Sequence, residues 1–339
     1  MSAIETFLAA QGYAQASRTA LPQDAGHRRY TRFFGEALRP ALLMDCTDAP
    51  KVGLTPEEDL IPFLRVAAHI AGLGLSAPAI LAEDRENGLL LVEDLGKETH
   101  AGLLDAGADP LPLYVAAAET LAALHAAPPP AGLPSYEAPT MTRLAGLTFL
   151  EWWWPATFGT PPDNAVRAEF EQAMRAMLDP FMGAGGFVHR DYFPANLMHL
   201  PAREGVRRVG ILDFQDAAYG HPAYDLVSLL QDARRDVAPE VRQAATAAYF
   251  AARPGLDIEN FTAATAAMAA QRHLRVAALW VRLARRDNKR GYLRHGPRCW
   301  RLLGEALEHP ATAPLARFLD RHVPPHLRQN PAALEDTAA

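Results

Sequence analysis

Three polar side chains in one stretch of this chain have types and spacing suited to chemistry: Asp191, Asn196 and Asp213. Asp191 closes His189-Arg190-Asp191, and Asn196 follows it five residues later in the run Val-His-Arg-Asp-Tyr-Phe-Pro-Ala-Asn-Leu-Met from 188 to 198. Asp213 stands in Gly-Ile-Leu-Asp-Phe-Gln-Asp, residues 210 to 216. In the pattern H-R-D-x-x-x-x-N the aspartate accepts or orients the proton of an attacking hydroxyl, and the asparagine holds a magnesium ion. A second aspartate after an apolar run supplies another oxygen to the metal, which otherwise keeps waters and phosphate oxygens. Each residue alone has a plain structural reading as a turn cap, a local backbone partner or a strand end. The set, in this order, points to phosphoryl transfer from ATP with Mg²⁺.

Positioning these groups requires a hairpin and a scaffold around it. Pro201-Ala-Arg-Glu-Gly205 separates two short apolar runs, which predicts a hairpin with Asn196 before it and Asp213 after it. Upstream, residues 3 to 11 read as a helix, 17 to 22 as a strand, and 24 to 34 as a turn rising into a second strand. Leu42-Leu43-Met44-Asp45-Cys46 is a third. Thr55-Pro56-Glu57-Glu58 reads as a helix start with Thr55 as N-cap, Pro56 at N1 and Glu58 at N3, and Pro62 offers the alternative of a regular helix from about 62 to 72. Leu89-Leu90-Leu91-Val92 is a buried strand, broken by Glu93-Asp94-Leu95-Gly96. Strand, turn, strand, strand, helix, strand and breaker is the order of a kinase amino-terminal lobe. The breaker is then the hinge, where backbone near Glu93 and Leu95 bonds adenine. The rest reads as helical, at 113 to 125, 165 to 182, 240 to 252, 261 to 286 and 297 to 307, with a loose tail from 324. The expectation is an α+β, two-lobed, protein-kinase-like fold: a small β-rich lobe over 1 to 95, a hinge at 93 to 96, a larger mainly helical lobe over 97 to 325, and a tail over 326 to 339.

Composition excludes several other classes. At 339 residues, 49% hydrophobic and 21% charged, the chain has room for a buried core. A net charge of −6 argues against a nucleic-acid protein. Cys46 and Cys299 are too few for a disulfide framework and lack zinc spacing. There is no basic, apolar leader and no run near the roughly 20 apolar residues of a membrane span. A cytoplasmic protein without a membrane, nucleic-acid or obligate protein partner is expected.

Further residues carry a resemblance. Leu121-Ala-Ala-Leu-His125, the loop from His189 to Asn196, and Ile211-Leu-Asp-Phe-Gln-Asp-Ala-Ala-Tyr-Gly220 with Pro222 and Asp225-Leu226 resemble the aminoglycoside phosphotransferase and choline kinase superfamily, over about residues 15 to 310. Within it the chain is most similar to bacterial anomeric sugar kinases acting on N-acetylmuramic acid and N-acetylglucosamine. That likeness rests on Arg28-Arg29-Tyr30, Leu43-Met44-Asp45, Phe149-Leu-Glu-Trp152, Phe214-Gln-Asp216, Gln271-Arg-His-Leu-Arg275 and Arg286-Asp-Asn-Lys-Arg-Gly-Tyr-Leu293. The resemblance implies ATP-dependent phosphorylation of a C1 hydroxyl in cell-wall recycling. Asp191 is then the base, Asn196 and Asp213 the metal ligands, and Gln215 a residue near the sugar.

The third strand departs from the general pattern. A lysine that binds the α- and β-phosphates and pairs with a helix glutamate is expected there. Leu42-Leu43-Met44-Asp45 carries none, and the nearby Lys51 lies in the following loop. Arg28 and Arg29 are the candidates to offset phosphate charge instead. Gly26 is the lone glycine of the phosphate turn, and no P-loop motif occurs. In Trp152-Trp153-Trp154, the first or second ring is a candidate face for a sugar, against the plain reading of helix packing. Arg275, with Arg282, Arg285 and Arg286, is a candidate for a substrate carboxylate, against a solvated stripe. Asp216 and Asp225 read as structural carboxylates, and His125 and His189 as core histidines. A kinase for an aminoglycoside, choline, homoserine or a thioribose, or a non-catalytic nucleotide-binding scaffold, are the alternatives.

Overall fold

Antiparallel pairing of short apolar runs builds the amino-terminal part of the chain. This is a computed structural model, described for residues 2–22, 28–36, 38–47, 53–183 and 185–335. The turn containing Gly26 and the loop residue Lys51 lie outside the described residues. Two compact units group Met1–Asp109 with Pro194–Ala217, and Pro110–Phe193 with Ala218–Ala339.

In the first unit, helix α1 (Ala3–Ala10) precedes strands β1 (Ser17–Ala20), β2 (Arg29–Phe34) and β3 (Ala41–Asp45), then helix α2 (Pro56–Gly72) and strands β4 (Ile80–Asp84) and β5 (Leu89–Glu93). The strands form one antiparallel sheet in the order β1-β2-β3-β5-β4. Central strands β3 and β5 are nearly all buried, so they read as continuous apolar runs. Phe7 and Leu8 of α1 pack with Tyr13, Phe33, Leu43, Leu89 and Leu91 in one buried cluster. Strand β4 was not foreseen. It is partly exposed, and a bulge between Ile80 and Ala82 interrupts the alternation that would mark it.

Helix α2 follows the first of the two expected starts, not the one near Pro62. It starts at Pro56, because Thr55 and Glu58 complete a capping box: the Thr55 Oγ1 accepts the Glu58 N–H at 3.2 Å, and the Thr55 N–H donates to Glu58 Oε2 at 2.8 Å. An interior proline costs about 3 kcal/mol. Burial of Leu60, Phe63, Val66 and Ile70 outweighs that, at about 1.5–3 kcal/mol for each large side chain.

The second unit is helical. Its elements include α4 (Pro110–Ala126), α5 (Ala138–Thr148), α6 (Trp154–Phe158), α7 (Asn164–Leu178), α8 (Ala223–Leu230), α9 (Pro239–Ala251), α10 (Ile258–Arg286), α11 (Gly296–Leu307), α12 (Ala313–His322) and α13 (Ala332–Glu335), while α3 (His100–Asp105) belongs to the first unit. Helix α10 is the axis. Asp257 caps its start by accepting the Asn260 N–H at 3.0 Å, and its buried positions pack against α5, α8 and α11. A short antiparallel pair joins Gly186–Val188 to Ala218–Gly220. The α+β, kinase-like class is as expected.

Part of the tail expected to be loose is hydrogen-bonded to the rest of the second unit at Gln329 and Asn330. Trp153 donates its indole N–H to the Gln329 carbonyl at 2.9 Å, and the buried Asn330 donates through Nδ2 to the Leu293 carbonyl at 2.8 Å. A buried amide that bridges two segments resists fraying. Asn330→Ala is therefore expected to destabilise the chain by about 1–3 kcal/mol in chemical denaturation; an unchanged midpoint would show that the tail is not part of the fold.

Candidate active site

A hairpin of Leu197–His199 and Val209–Ile211 carries the two expected metal ligands in the first unit. Its register, Leu197 opposite Ile211, continues into a bond from the Leu212 N–H to the Asn196 carbonyl at 2.9 Å. Seventeen residues of sequence separation thereby collapse, and Asn196 Nδ2 donates to Asp213 Oδ2 at 3.3 Å. Gln215, expected near the sugar, donates from Nε2 to Asp213 Oδ1 at 2.6 Å and so orients that carboxylate. Asp213 itself has left-handed backbone, φ 59°, which aspartate tolerates better than most residues. The kink turns Phe214 inward against Phe63 of α2, with ring centroids 4.8 Å apart. One carboxylate and one amide oxygen are what Mg²⁺ asks of a protein when phosphates and water complete its shell. No cluster of three or more acidic, histidine or cysteine ligands occurs among the described residues.

The hairpin is anchored within the same unit. Ser76 receives the Ile211 N–H at 2.7 Å, and Arg203 donates to Ser76 Oγ at 2.8 Å and to the Glu93 carboxylate at 2.9 Å. The segment expected to bond adenine is held too: Asp94 accepts from Arg32 and from the Gly96 N–H, each at 2.9 Å. The side chain of Glu93 is thus committed to Arg203, while that of Leu95 lies close to Gly210, where an added Cβ would stand 2.9 Å from its Cδ1.

Strand alternation separates the two arginine candidates. Side chains two apart on a strand share a face, so Arg28 and Tyr30 lie on one side and Arg29 on the other. Burial pushes the Tyr30 phenol up to about 12; the Arg28 charge opposes this shift and that of Asp213 adds to it. The Tyr30 phenol is thus reached by both the Arg28 and the Asp213 charges. Arg28 also donates to the Asp59 carbonyl at 2.9 Å and to its carboxylate at 3.3 Å. Asp59 belongs to α2, so an arginine–helix aspartate pair exists here in place of the lysine–glutamate pair of the general pattern. Arg29 instead grips Asp45, with Nε and Nη2 at 3.1 and 2.8 Å from Oδ2.

Asp191 belongs to the second unit, in a turn held by α8. Arg190 has φ 76°, a conformation that costs a bulky residue about 1–3 kcal/mol. The Asp225 carboxylate, 0% exposed, accepts the His189 N–H at 2.6 Å and the Arg190 N–H at 2.8 Å. Hydrogen bonds to a charged acceptor contribute about 1.5–3 kcal/mol each, enough to offset the strained turn. His125 adds a third contact, Nε2 to Asp225 Oδ2 at 3.2 Å, while its Nδ1 faces the Tyr249 hydroxyl at 2.9 Å. Burial lowers the His125 pKa despite the carboxylate, so the ring is neutral, donating to Asp225 and accepting from Tyr249. From the other side, Ser228 Oγ donates to the Arg190 carbonyl at 3.3 Å.

The aromatic and arginine candidates divide sharply. Trp153 is 0% exposed and stacks on Phe149 with centroids 5.0 Å apart, which corrects its expectation: it is a core residue with no face to offer. Trp152 is half-buried and keeps an accessible surface. Arg275 is no part of a solvated stripe, since it donates to the Tyr224 hydroxyl at 3.2 Å; Arg285 and Arg286 are exposed. Sequence reasoning missed Asp59, Tyr136, Tyr224 and Ser228, whose neighbours are far away in the chain. Only the helical spacing of 224, 225 and 228 hinted at a common face.

Comparison with known proteins adds to this geometry. Residues 18–258 match the model of the phosphotransferase enzyme family. A Caulobacter vibrioides protein named N-acetylmuramate/N-acetylglucosamine kinase is 37% identical, aligned over 95% of this chain and 96% of its own. The protein of that name from Pseudomonas aeruginosa is 34% identical over 94% of this chain and 93% of its own. Among solved structures, a choline/ethanolamine kinase family protein from Mesorhizobium loti superposes with a TM-score of 0.61 at 14% identity, covering 94% of this chain and 98% of that one.

The clamp on Asp191 is directly testable. Asparagine at position 225 keeps one acceptor oxygen but turns an amide donor toward an N–H or the histidine. Asp225→Asn is expected to lower kcat by about tenfold or more with the KM for ATP little changed. Wild-type turnover in a folded variant would remove Asp225 from the account of the turn.

Proposed function

We propose, since the chain belongs to the phosphotransferase enzyme family, that it transfers the γ-phosphoryl group of ATP to the C1 hydroxyl of N-acetylmuramic acid or N-acetylglucosamine. The observation that carries this reading is the Asn196–Asp213 pair across its hairpin, five residues after an Asp191 held in a clamped turn. The sugar comes from the names of the two relatives. A cytoplasmic place in cell-wall sugar recycling follows the same reading, and no described helix is long and apolar enough to cross a membrane.

Each residue then has a limited task. Asp191 accepts the hydroxyl proton as the sugar oxygen attacks, and the strained, doubly bonded turn keeps its carboxylate in place. Asp213 and Asn196 hold Mg²⁺, with Gln215 fixing the orientation of Asp213. The ion, when bound, neutralises charge developing on the transferring group. Arg28, on the same face as Tyr30, offsets phosphate charge while Asp59 fixes its side chain. Arg29 holds the strand edge through Asp45. Residues 93 to 96 form the hinge of the nucleotide lobe, with the backbone at Glu93 and Leu95 against adenine. Trp152 presents a flat face to the sugar, and Arg275 is committed to Tyr224.

Two measurements test this. Asp191→Asn is expected to retain ATP binding in a thermal-shift assay yet lose roughly a hundred- to ten-thousand-fold in kcat; near-normal turnover would refute the base. Arg28→Met should raise the KM for ATP by about tenfold and Arg29→Met by about twofold or less, and the reverse order would move the phosphate contact to the other face. The acceptor is decided by ATP consumption over N-acetylmuramic acid, N-acetylglucosamine, choline, homoserine and an aminoglycoside, with phosphorus NMR of the product. A phosphate signal coupled to an anomeric proton is expected; turnover confined to a non-sugar acceptor would overturn the assignment.

A further inference from the structure

Behind the Asp191 turn, the second unit holds one buried and one half-buried arginine, with no carboxylate bonded to either. Arg272 is 4% exposed, and its Nη1 donates to the Tyr224 hydroxyl oxygen at 3.1 Å and to the Arg190 carbonyl at 3.4 Å. Arg275, three residues on, donates to the same phenol oxygen at 3.2 Å. The Nε atoms of both are buried and make no hydrogen bond. Tyr136, just before α5, adds a third donor, with its hydroxyl 3.1 Å from that of Tyr224.

Three donors on one oxygen raise a problem of protons. Tyr224 is 0% exposed, so water does not take its proton. Among the described residues the Tyr136 hydroxyl has Tyr224 as its one hydrogen-bond partner. Whichever phenol donates to the other, a neutral pair facing two guanidinium donors leaves one hydroxyl hydrogen without an acceptor. The two guanidinium charges, one buried and one half-buried, feel the Asp191 charge but have no carboxylate bonded to them, and Asp191 itself opposes ionisation of the phenol. Removing the phenol proton settles both.

We propose that Tyr224 loses its proton ahead of the other tyrosines, giving a buried phenolate that is the counterion of Arg272 and Arg275, and that through Arg272 it positions the Arg190–Asp191 turn. The step is a simple acid dissociation, with the proton released to solvent. It rests on the reading of Asp191 as the base only for its effect on turnover. The charged and titratable groups around the phenol are Arg272 and Arg275 of α10, Tyr136, and, near Arg272 and the turn, Arg190, Asp191 and Asp232. Arg190 lies over the Tyr136 ring at 5.0 Å and Arg272 over the Tyr224 ring at 5.2 Å. Burial opposes ionisation of Tyr224, but the Arg275 and Arg272 charges prevail and hold it down to about 8. Burial pushes Tyr136 up, and Tyr224 adds to the shift, so one member of the pair ionises and the other donates. Tyr224, Asp225 and Ser228 thus make α8 a brace that bonds the turn directly at its amides and at the Arg190 carbonyl, and indirectly through Arg272.

Ultraviolet titration of the full chain tests this without reference to activity. One of the nine tyrosines should ionise near pH 8, ahead of the rest. That step should vanish in Tyr224→Phe and move to higher pH in Arg275→Gln. Because the folded group ionises below its unfolded value, its stabilising contribution is complete above the unfolded pKa of about 10 and fades as pH falls through about 8. The melting temperature of the wild type should accordingly gain on that of Tyr224→Phe between these limits. Turnover of the variant is expected to fall about tenfold, with the KM for ATP unchanged. If no tyrosine ionises before the bulk, or if the early step persists in Tyr224→Phe, the phenolate is refuted. If the step is present but Tyr224→Phe turns over normally, the positioning role is refuted, leaving the proposed phosphoryl transfer untouched.

Discussion

A buried carboxylate gripping two successive backbone amides is the interaction on which the catalytic segment depends. Asp225 has no exposed surface, yet it stays hydrogen-bonded on both oxygens, to His189 and Arg190 and to a neutral His125. Arg190 occupies left-handed backbone that a bulky residue adopts only under constraint. The carboxylate supplies that constraint. Charge-assisted bonds in a low-dielectric interior are strong enough to keep the turn strained, whereas exposed ones would be screened. The residue before Asp191 therefore stores strain that Asp225 maintains.

The same economy of charge runs through the second unit. Two of its buried histidines are neutral: burial, aided by the Arg272 charge, lowers His273 to about 3, and burial also lowers His125. Neutral rings serve as hydrogen-bond spacers, His125 toward Asp225 and His273 toward Gln231 at 2.9 Å. Positive charge is left to arginines, which do not lose their protons, and it collects on α10 around a phenol. Ionisable groups in this interior are arranged so that each charge has a hydrogen-bonding partner of suitable polarity.

The first unit solves a different problem by different means. Its Asn196–Asp213 pair, the proposed metal ligands, is held by strand register, since pairing Leu197 with Ile211 sets the two side chains together. The strand that would carry a lysine is apolar, and Arg28, the proposed replacement for its charge, pairs with Asp59 on α2. Helix α2 presents that aspartate because its capping box starts the helix a full turn before its internal proline.

Local rules made part of this legible in advance. The Asp191–Asn196 spacing, the hairpin, the α2 cap and the helical periodicities are properties of neighbouring residues, and the chain itself determined them. The kinase-like class followed, because the order of elements is also a property of the sequence. Long-range partners were beyond such reading. Nothing near Trp153 tells that Gln329 will meet its indole, nor that the tail will be packed there. Gln215 beside Asp213, Arg28 rather than Arg29, and Tyr224 between two arginines were decided by packing alone. Residues far apart in the chain become hydrogen-bond partners only after the backbone has folded, and burial then makes those bonds too costly to leave unmade.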